Sequence, residues 1–229
     1  MKKIVVVGSL NVDFVVDVQE MPMIGETVLA SSSDFIPGGK GANQAYAAGR
    51  LGADVTMLGA VGVDNNGGLL LENLNRANVE TKYIQQMETA KTGTAIIAVN
   101  SKGNNSIIVV QGANMEVDIA YIEKHIDVIR ECEILLMQLE IPVETVLYTA
   151  KLAKKLGKTV ILDPAPARRD LPQELFSYVD IMKPNELELC TLAGKKPEEM
   201  DLEKDTEYIR SLGAKNVLVT LGAQGAFLK

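Results

Sequence analysis

Short runs rich in Val and Ile, apolar at consecutive positions, recur along this 229-residue chain at 4–7, 55–58, 134–137, 160–162, 181–182 and 217–221. A strand that is apolar on both faces cannot lie on water with either, so each run calls for a parallel sheet covered by helices on both sides. The intervening segments 42–51, 67–75, 117–130, 143–155, 186–192 and 202–212 carry helical periodicity, and Gly157 and Gly213 fall where two of these helices should end. Alternation of this kind implies βαβ crossovers and a doubly wound, mostly parallel α/β fold. Its ligand is expected at the carboxyl ends of the strands.

Four β-branched segments do not fit that alternation: 12–18, 26–35, 92–99 and 106–111, the last two joined by the turn-forming Ser101-Lys102-Gly103-Asn104-Asn105. They are predicted to form a small sheet that projects from the main one as a lid. With 47% hydrophobic residues and no repeat or flexible linker, the chain is expected to be one domain spanning 1–229.

Charge narrows the choice of partner. A net charge of -7, with no cluster of Lys and Arg, opposes nucleic acid or an anionic membrane surface and favours a small molecule. Cys132 and Cys190 stand far apart and are expected to be reduced core thiols rather than a disulfide or metal pair. The start, Met1-Lys2-Lys3 and the apolar run after it, meets Asp13 and Asp17 without a cleavage-like site, so it reads as a first strand. No run is long enough to span a bilayer, and a cytoplasmic protein is expected. His125, the only histidine, is placed among Glu123, Lys124 and Asp127 as a solvated residue without a role.

Two clusters can carry chemistry. Strand alternation puts Asn11 and Asp13 on one side of their segment, an amide and a carboxylate pointing the same way, although both could simply satisfy a turn. Gly38-Gly39-Lys40-Gly41-Ala42-Asn43-Gln44-Ala45 then opens a helix. Its glycines permit close backbone approach, and the helix start is expected to offer unpaired amides and a positive dipole end to an anionic or hydroxyl-rich ligand. A plain glycine turn before a helix would look the same. The Rossmann pattern fails because Gln44 stands where its third glycine belongs, and the Walker A pattern fails because Gly41 follows Lys40.

Asn11-Val12-Asp13, the octet 38–45, Met137-Gln138-Leu139-Glu140, Asp163-Pro164-Ala165-Pro166-Ala167 and Lys183-Pro184-Asn185-Glu186 occur in the order found in ribokinases. Over essentially its whole length the chain resembles that family, within the wider ribokinase-like carbohydrate kinases, and it resembles ribokinases more than fructokinases. The resemblance implies ATP-dependent phosphorylation of D-ribose to ribose 5-phosphate. The ribose site would be built from Asn11, Asp13, Gly39, Lys40, Asn43 and Glu140, although a loop or helix-start acid would equally explain Glu140. Nucleotide contacts would come from Asn185 and from Thr220, Gly222 and Gly225 in the turn Thr220-Leu221-Gly222-Ala223-Gln224-Gly225, where Ala223 replaces a serine of many relatives. Glu188 would organise Mg2+ through water, as a cation that holds its hydration shell prefers. Asn185 and Glu188 also have the spacing of a capping box, and the two readings are compatible.

By the same resemblance the catalytic aspartate belongs to a Gly-Ala-Gly-Asp type segment beyond Lys229, with the ligands for a monovalent cation such as K+. No catalytic residue is therefore assigned, and no Asp or Glu follows Glu207. The sequence reads as a C-terminally shortened form with an open sheet edge beside 217–221. The alternatives are a kinase for deoxyribose or another pentose, or an inactive sugar-binding fragment. A homodimer through the lid is also implied.

Overall fold

The computed structural model describes residues 2–229, so Met1 of the N-terminal run lies outside the described residues. The chain opens with β1 (Lys3–Val7), then leaves the main sheet for β2 (Asn11–Val18) and β3 (Ala30–Gly38). Next come α1 (Lys40–Arg50), β4 (Asp54–Leu58), β5 (Ala60–Gly62), α2 (Asn65–Arg76), β6 (Val79–Glu80), β7 (Gln85–Met87), β8 (Gly93–Asn100) and β9 (Asn105–Val110). A 3₁₀ turn (Gly112–Glu116) leads to α3 (Ile119–Lys124), α4 (Ile126–Glu131), β10 (Ile134–Met137), α5 (Val143–Lys155) and β11 (Thr159–Leu162). The chain continues through α6 (Gln173–Phe176), β12 (Ile181–Met182), α7 (Glu186–Leu192), α8 (Leu202–Ser211), β13 (Asn216–Thr220) and β14 (Ala226–Leu228).

The main sheet has eight strands in the order β14-β13-β12-β11-β10-β1-β4-β6, and only the β13/β14 pair is antiparallel. Why the central strand is apolar at consecutive positions is visible in β1. Val5 and Val7 are fully buried in one hydrophobic cluster, while Val6 is fully buried in another on the opposite side. From β1 the chain builds outward through β4 and β6, then returns to β10 and builds the other way. The order reverses between β1 and β10, and a doubly wound sheet leaves a crevice at the carboxyl ends of two such strands.

The second sheet, β3-β2-β8-β9, is the projecting lid, with β2 and β8 parallel and the other pairs antiparallel. Its second segment differs from the expected 26–35. Pairing starts at Ala30 opposite Val18, where β2 ends, and continues to Gly38 opposite Asn11. Residues 26–29 therefore have no neighbouring strand to complete a ladder.

The helix expected over 117–130 is broken into α3 and α4 at His125, whose backbone (φ -112°, ψ 22°) is not helical. His125 is half-buried rather than solvated. Its Nδ1 lies 2.9 Å from the Tyr121 carbonyl, and its ring packs on those of Tyr121 and Tyr83, with centroids 4.7 and 5.6 Å away. The open edge expected beside 217–221 lies one strand farther out, at β14. β14 folds back on β13, and Val217 and Val219 are fully buried. The short strands β5, β6 and β7 were not predicted. Cys132 and Cys190 are buried free thiols as expected, and burial raises both thiol pKa values.

At the amino edge of the sheet one buried carboxylate joins three elements. Asp180 accepts from Lys154 Nζ of α5 at 2.7 and 2.8 Å and from the Val160 amide of β11 at 2.8 Å, with Lys215 Nζ at 3.4 Å. Burial alone would raise its pKa, but these donors and ammonium charges outweigh it and hold the carboxyl below its usual value. A depressed native pKa stabilises the fold above the unfolded value of 3.8 and ceases to do so as pH falls through the native one. Asp180→Asn should therefore lower stability at pH 7 by about 2–3 kcal/mol. Urea unfolding should show the gap between variant and parent closing as pH falls below 3.8.

Candidate functional site

The glycine octet is where helix and sheet meet most closely. Gly39 precedes α1 with φ 87°, a conformation that suits glycine, and a Cβ there would lie 2.5 Å from the Asn11 amide nitrogen. A Cβ on Gly41 would lie 2.6 Å from the Ser9 nitrogen. These two residues let the start of α1 rest directly on the β1–β2 connection. The expectation that the helix start offers free amides to a ligand is thereby overturned. Lys40 N–H donates to Glu140 Oε2 at 3.1 Å, Gly41 N–H to Ser9 Oγ at 3.3 Å, and Ala42 N–H to the Ser9 carbonyl at 2.9 Å. The first-turn amides fasten the helix to the sheet.

What this contact delivers is a cluster of side chains. Asn11, Asp13, Gly39, Lys40, Asn43 and Glu140 all line one cavity of 530 Å³. It lies at the reversal point of the sheet, since Asn11 begins the strand after β1 and Glu140 follows β10. The lid supplies its apolar wall from Ala95, Ile97, Ile107 and Val109. Polar groups on one side and apolar on the other suit a hydroxyl-rich ligand with a carbon backbone.

The two carboxylates are held differently. Glu140 accepts a 2.5 Å hydrogen bond from Ser9 Oγ as well as the Lys40 amide. Asp13 sits in a recess that a Cβ on Gly38 would fill, 2.4 Å from Oδ2. Burial raises the Asp13 pKa, the Glu140 charge raises it further, and Lys40 works in the opposite direction.

The residues expected at the nucleotide lie farther along the same carboxyl edge. Asn185 and Thr220 face each other across an isolated parallel bridge, and Thr220 N–H donates to the Pro184 carbonyl at 3.0 Å. Gly222 and Gly225, with φ 55° and 92°, form an exposed turn between β13 and β14. Asn185 and Glu188 form a complete capping box, with Glu188 Oε2 accepting from the Asn185 amide at 2.7 Å and Asn185 Oδ1 from the Glu188 amide at 2.8 Å.

Between the two groups runs a polar chain whose links the sequence did not reveal. Gln138 Nε2 donates to Gln44 Oε1 at 2.6 Å, Gln44 Nε2 donates to Asp163 Oδ2 at 2.7 Å, and Lys183 Nζ lies 3.2 Å from the same oxygen. Ser9, Gln44, Gln111 and Asn114 were also missed as members of the site. Ser9 extends the alternation of Asn11 and Asp13, and Gln44 is one helical turn beyond Lys40, so both had a signal. Asn114 is 103 residues from its partner Asn11 and had none.

A second cavity of 410 Å³ opens at the amino edge near Lys3 and Lys82. Two of its three lysines pair with its own carboxylates, Lys3 with Glu131 at 2.8 Å and Lys82 with Glu80 at 3.2 Å, and the residues singled out from the sequence line the carboxyl-edge cavity instead.

Residues 1–229 match the model of the pfkB family carbohydrate kinases. A ribokinase of Staphylococcus aureus strain COL is 39% identical over 227 residues, covering 98% of this chain and 74% of that one. A deoxyribokinase of Salmonella typhimurium is 35% identical over 224 residues, covering 97% and 73%. The structure of Arabidopsis thaliana ribokinase complexed with ribose and ATP superimposes with a TM-score of 0.89 at 36% identity, covering 99% of this chain and 74% of that one.

A carboxyl whose native pKa lies above its unfolded value costs stability when charged, so Asp13→Asn should stabilise the fold at neutral pH. By carbon NMR, the Asp13 carboxyl should titrate above the usual aspartate value. It should move down in Glu140→Gln and up in Lys40→Met; an unmoved midpoint in both would disprove the coupling.

Proposed function

Because this chain belongs to the pfkB family of carbohydrate kinases, we propose that it transfers the γ-phosphoryl group of ATP to D-ribose, forming D-ribose 5-phosphate. The observation that carries this reading is the convergence of Asn11, Asp13, Lys40, Asn43 and Glu140 on one cavity at the reversal point of the sheet. Carboxylate oxygens accept from sugar hydroxyls, while the Asn and Lys donors hold the hydroxyl and ring oxygens. The apolar lid residues cover the carbon face and exclude water, so these hydrogen bonds act in a medium of low dielectric.

Phosphoryl transfer is chiefly positioning and charge stabilisation: a sugar oxygen bonds to the γ-phosphorus, the bond to the bridging oxygen breaks, and the hydroxyl proton leaves to a base. The reading gives Asn11, Asp13 and Glu140 the task of orienting the sugar, and Asn185, Thr220, Gly222 and Gly225 that of holding the nucleotide. No described residue is assigned the part of base. Among the described residues no cluster of three or more metal-ligating side chains occurs, so Mg2+ would arrive with ATP and keep phosphate and water ligands. Glu188 directs one oxygen to the Asn185 amide, which leaves the other for such a water. The ion would neutralise phosphate charge. A monovalent cation, K+, and one domain closed by its lid belong to the same reading. So does a cytoplasmic location, consistent with the absence of a described helix long and apolar enough to cross a membrane.

The lid also supports self-association. A row of apolar residues, Phe35, Phe14, Ile96 and Ile108, crosses all four strands on the face opposite the cavity, and Ile108 is 64% exposed. A second copy of the chain is the proposed cover. Sedimentation should show a dimer that Ile108→Asp converts to monomer; a parent that is monomeric at all concentrations would disprove it.

Similarity to a deoxyribokinase supports a second reading in which 2-deoxyribose is the acceptor. A coupled assay of ADP release with Mg2+ and K+, run with both sugars, separates the two. Preference for D-ribose is expected, and ADP release with 2-deoxyribose alone would favour the second. Asp13→Ala should weaken ribose binding 10-fold to 100-fold, about 1.5–3 kcal/mol for a charged hydrogen bond. Unchanged affinity would displace the sugar from this cavity.

A further inference from the structure

An asparagine side chain can turn either its donor or its acceptor to a ligand, and that choice decides which sugar atom it can hold. At Asn11 the choice is made by buried backbone groups acting through Asn114. The Leu10 amide can only donate, and it lies 2.8 Å from Asn114 Oδ1. The Asn114 nitrogen therefore faces the acceptors around it, the Gln111 carbonyl at 2.9 Å, the Leu10 carbonyl at 3.3 Å and the Asn11 side chain at 2.7 Å. Turning the Asn114 amide over would set its nitrogen against the Leu10 amide and its oxygen against two carbonyls. With Asn114 fixed, Asn11 must present Oδ1 to it, and the Asn11 nitrogen is left for the cavity that Asn11 lines.

Two further observations point the same way. Asn114 is 1% exposed and Asn11 3% exposed, so water does not offer either amide an alternative partner on the buried side. Gly93, at the start of β8, leaves room for the bond itself, since a Cβ there would lie 2.2 Å from Asn11 Oδ1 and 2.4 Å from Asn114 Nδ2.

We infer that Asn114 is a positioning residue that sets the polarity of Asn11, so that the sugar cavity receives an amide donor at this point and the sugar atom bound there acts as a hydrogen-bond acceptor. The inference deepens the sugar-kinase reading and rests on it for the identity of the ligand. Asn114 touches no substrate in this account; it acts through Asn11 alone.

Asn114→Asp keeps the acceptor for the Leu10 amide and removes the donor, which frees Asn11 to turn over. Calorimetric titration of ribose into the parent, Asn114→Asp, Asn11→Ala and the double variant forms a cycle. Asn114→Asp should weaken binding about 10-fold in the parent and leave the affinity of Asn11→Ala unchanged. An unchanged affinity in the parent, or an equal loss in both backgrounds, would overturn the inference, because a merely structural residue would act additively. Side-chain amide NMR of the parent gives a test that needs no variant. The Asn11 N–H2 signals should shift with ribose and exchange readily without it, while those of Asn114 stay protected; the opposite pattern would also overturn it. If the parent binds no ribose, the sugar-kinase reading falls, and the exchange pattern of the free protein still decides the polarity of Asn11.

Discussion

Everything at the carboxyl edge depends on how closely α1 approaches the β1–β2 connection. At Gly41 and Gly39 the backbones meet at distances that a single Cβ would make impossible. The hydrogen bonds of the first turn then fasten the helix to Ser9 and Glu140. Because the helix start is fixed there, Lys40, Asn43 and Gln44 point across the crevice toward groups carried by β2, β10 and β11. The glycine block acts as a docking surface between helix and sheet, and the ligand chemistry comes from the side chains that the docking brings together.

That arrangement also explains why several polar groups of the site are occupied with one another. Ser9 holds Glu140, Asn114 holds Asn11, and Asp163 receives both Gln44 and Lys183. Glu140, Asn11 and Asp163 are thereby oriented by other side chains before any ligand arrives, so these three have little rotamer freedom left to lose on binding. Asp13 differs from them: burial and the neighbouring Glu140 charge leave it costly in its ionised form. A ligand that donates hydrogen bonds to it relieves that cost.

Much of this was legible in the sequence. The runs of consecutive apolar residues announced a covered parallel sheet, and β1 shows the reason in its alternate valines, which serve two cores. The segments 134–137, 143–155, 181–182 and 186–192 coincide with β10, α5, β12 and α7 residue for residue. The failures have physical causes. The second lid strand was misplaced because its ends are set by the partner strand, not by its own β-branched residues. The long helix was broken at His125, where packing on two tyrosines overrides a continuous periodicity. The helix start was expected to hold a ligand, yet its amides have partners in Ser9 and Glu140, far away in the chain.

By itself the sequence determined the α/β class and a separate small sheet, because periodicity and turn chemistry are local properties of a chain; six of the residues that line the cavity came from the resemblance in ordered motifs. Tertiary structure decided what those residues present to a ligand. The polarity of Asn11, the raised pKa of Asp13, the bond between Ser9 and Glu140 and the polar chain through Gln44 to Lys183 join residues that lie up to 131 positions apart. Hydrogen bonding and desolvation depend on distance in space, and only the folded chain sets that distance.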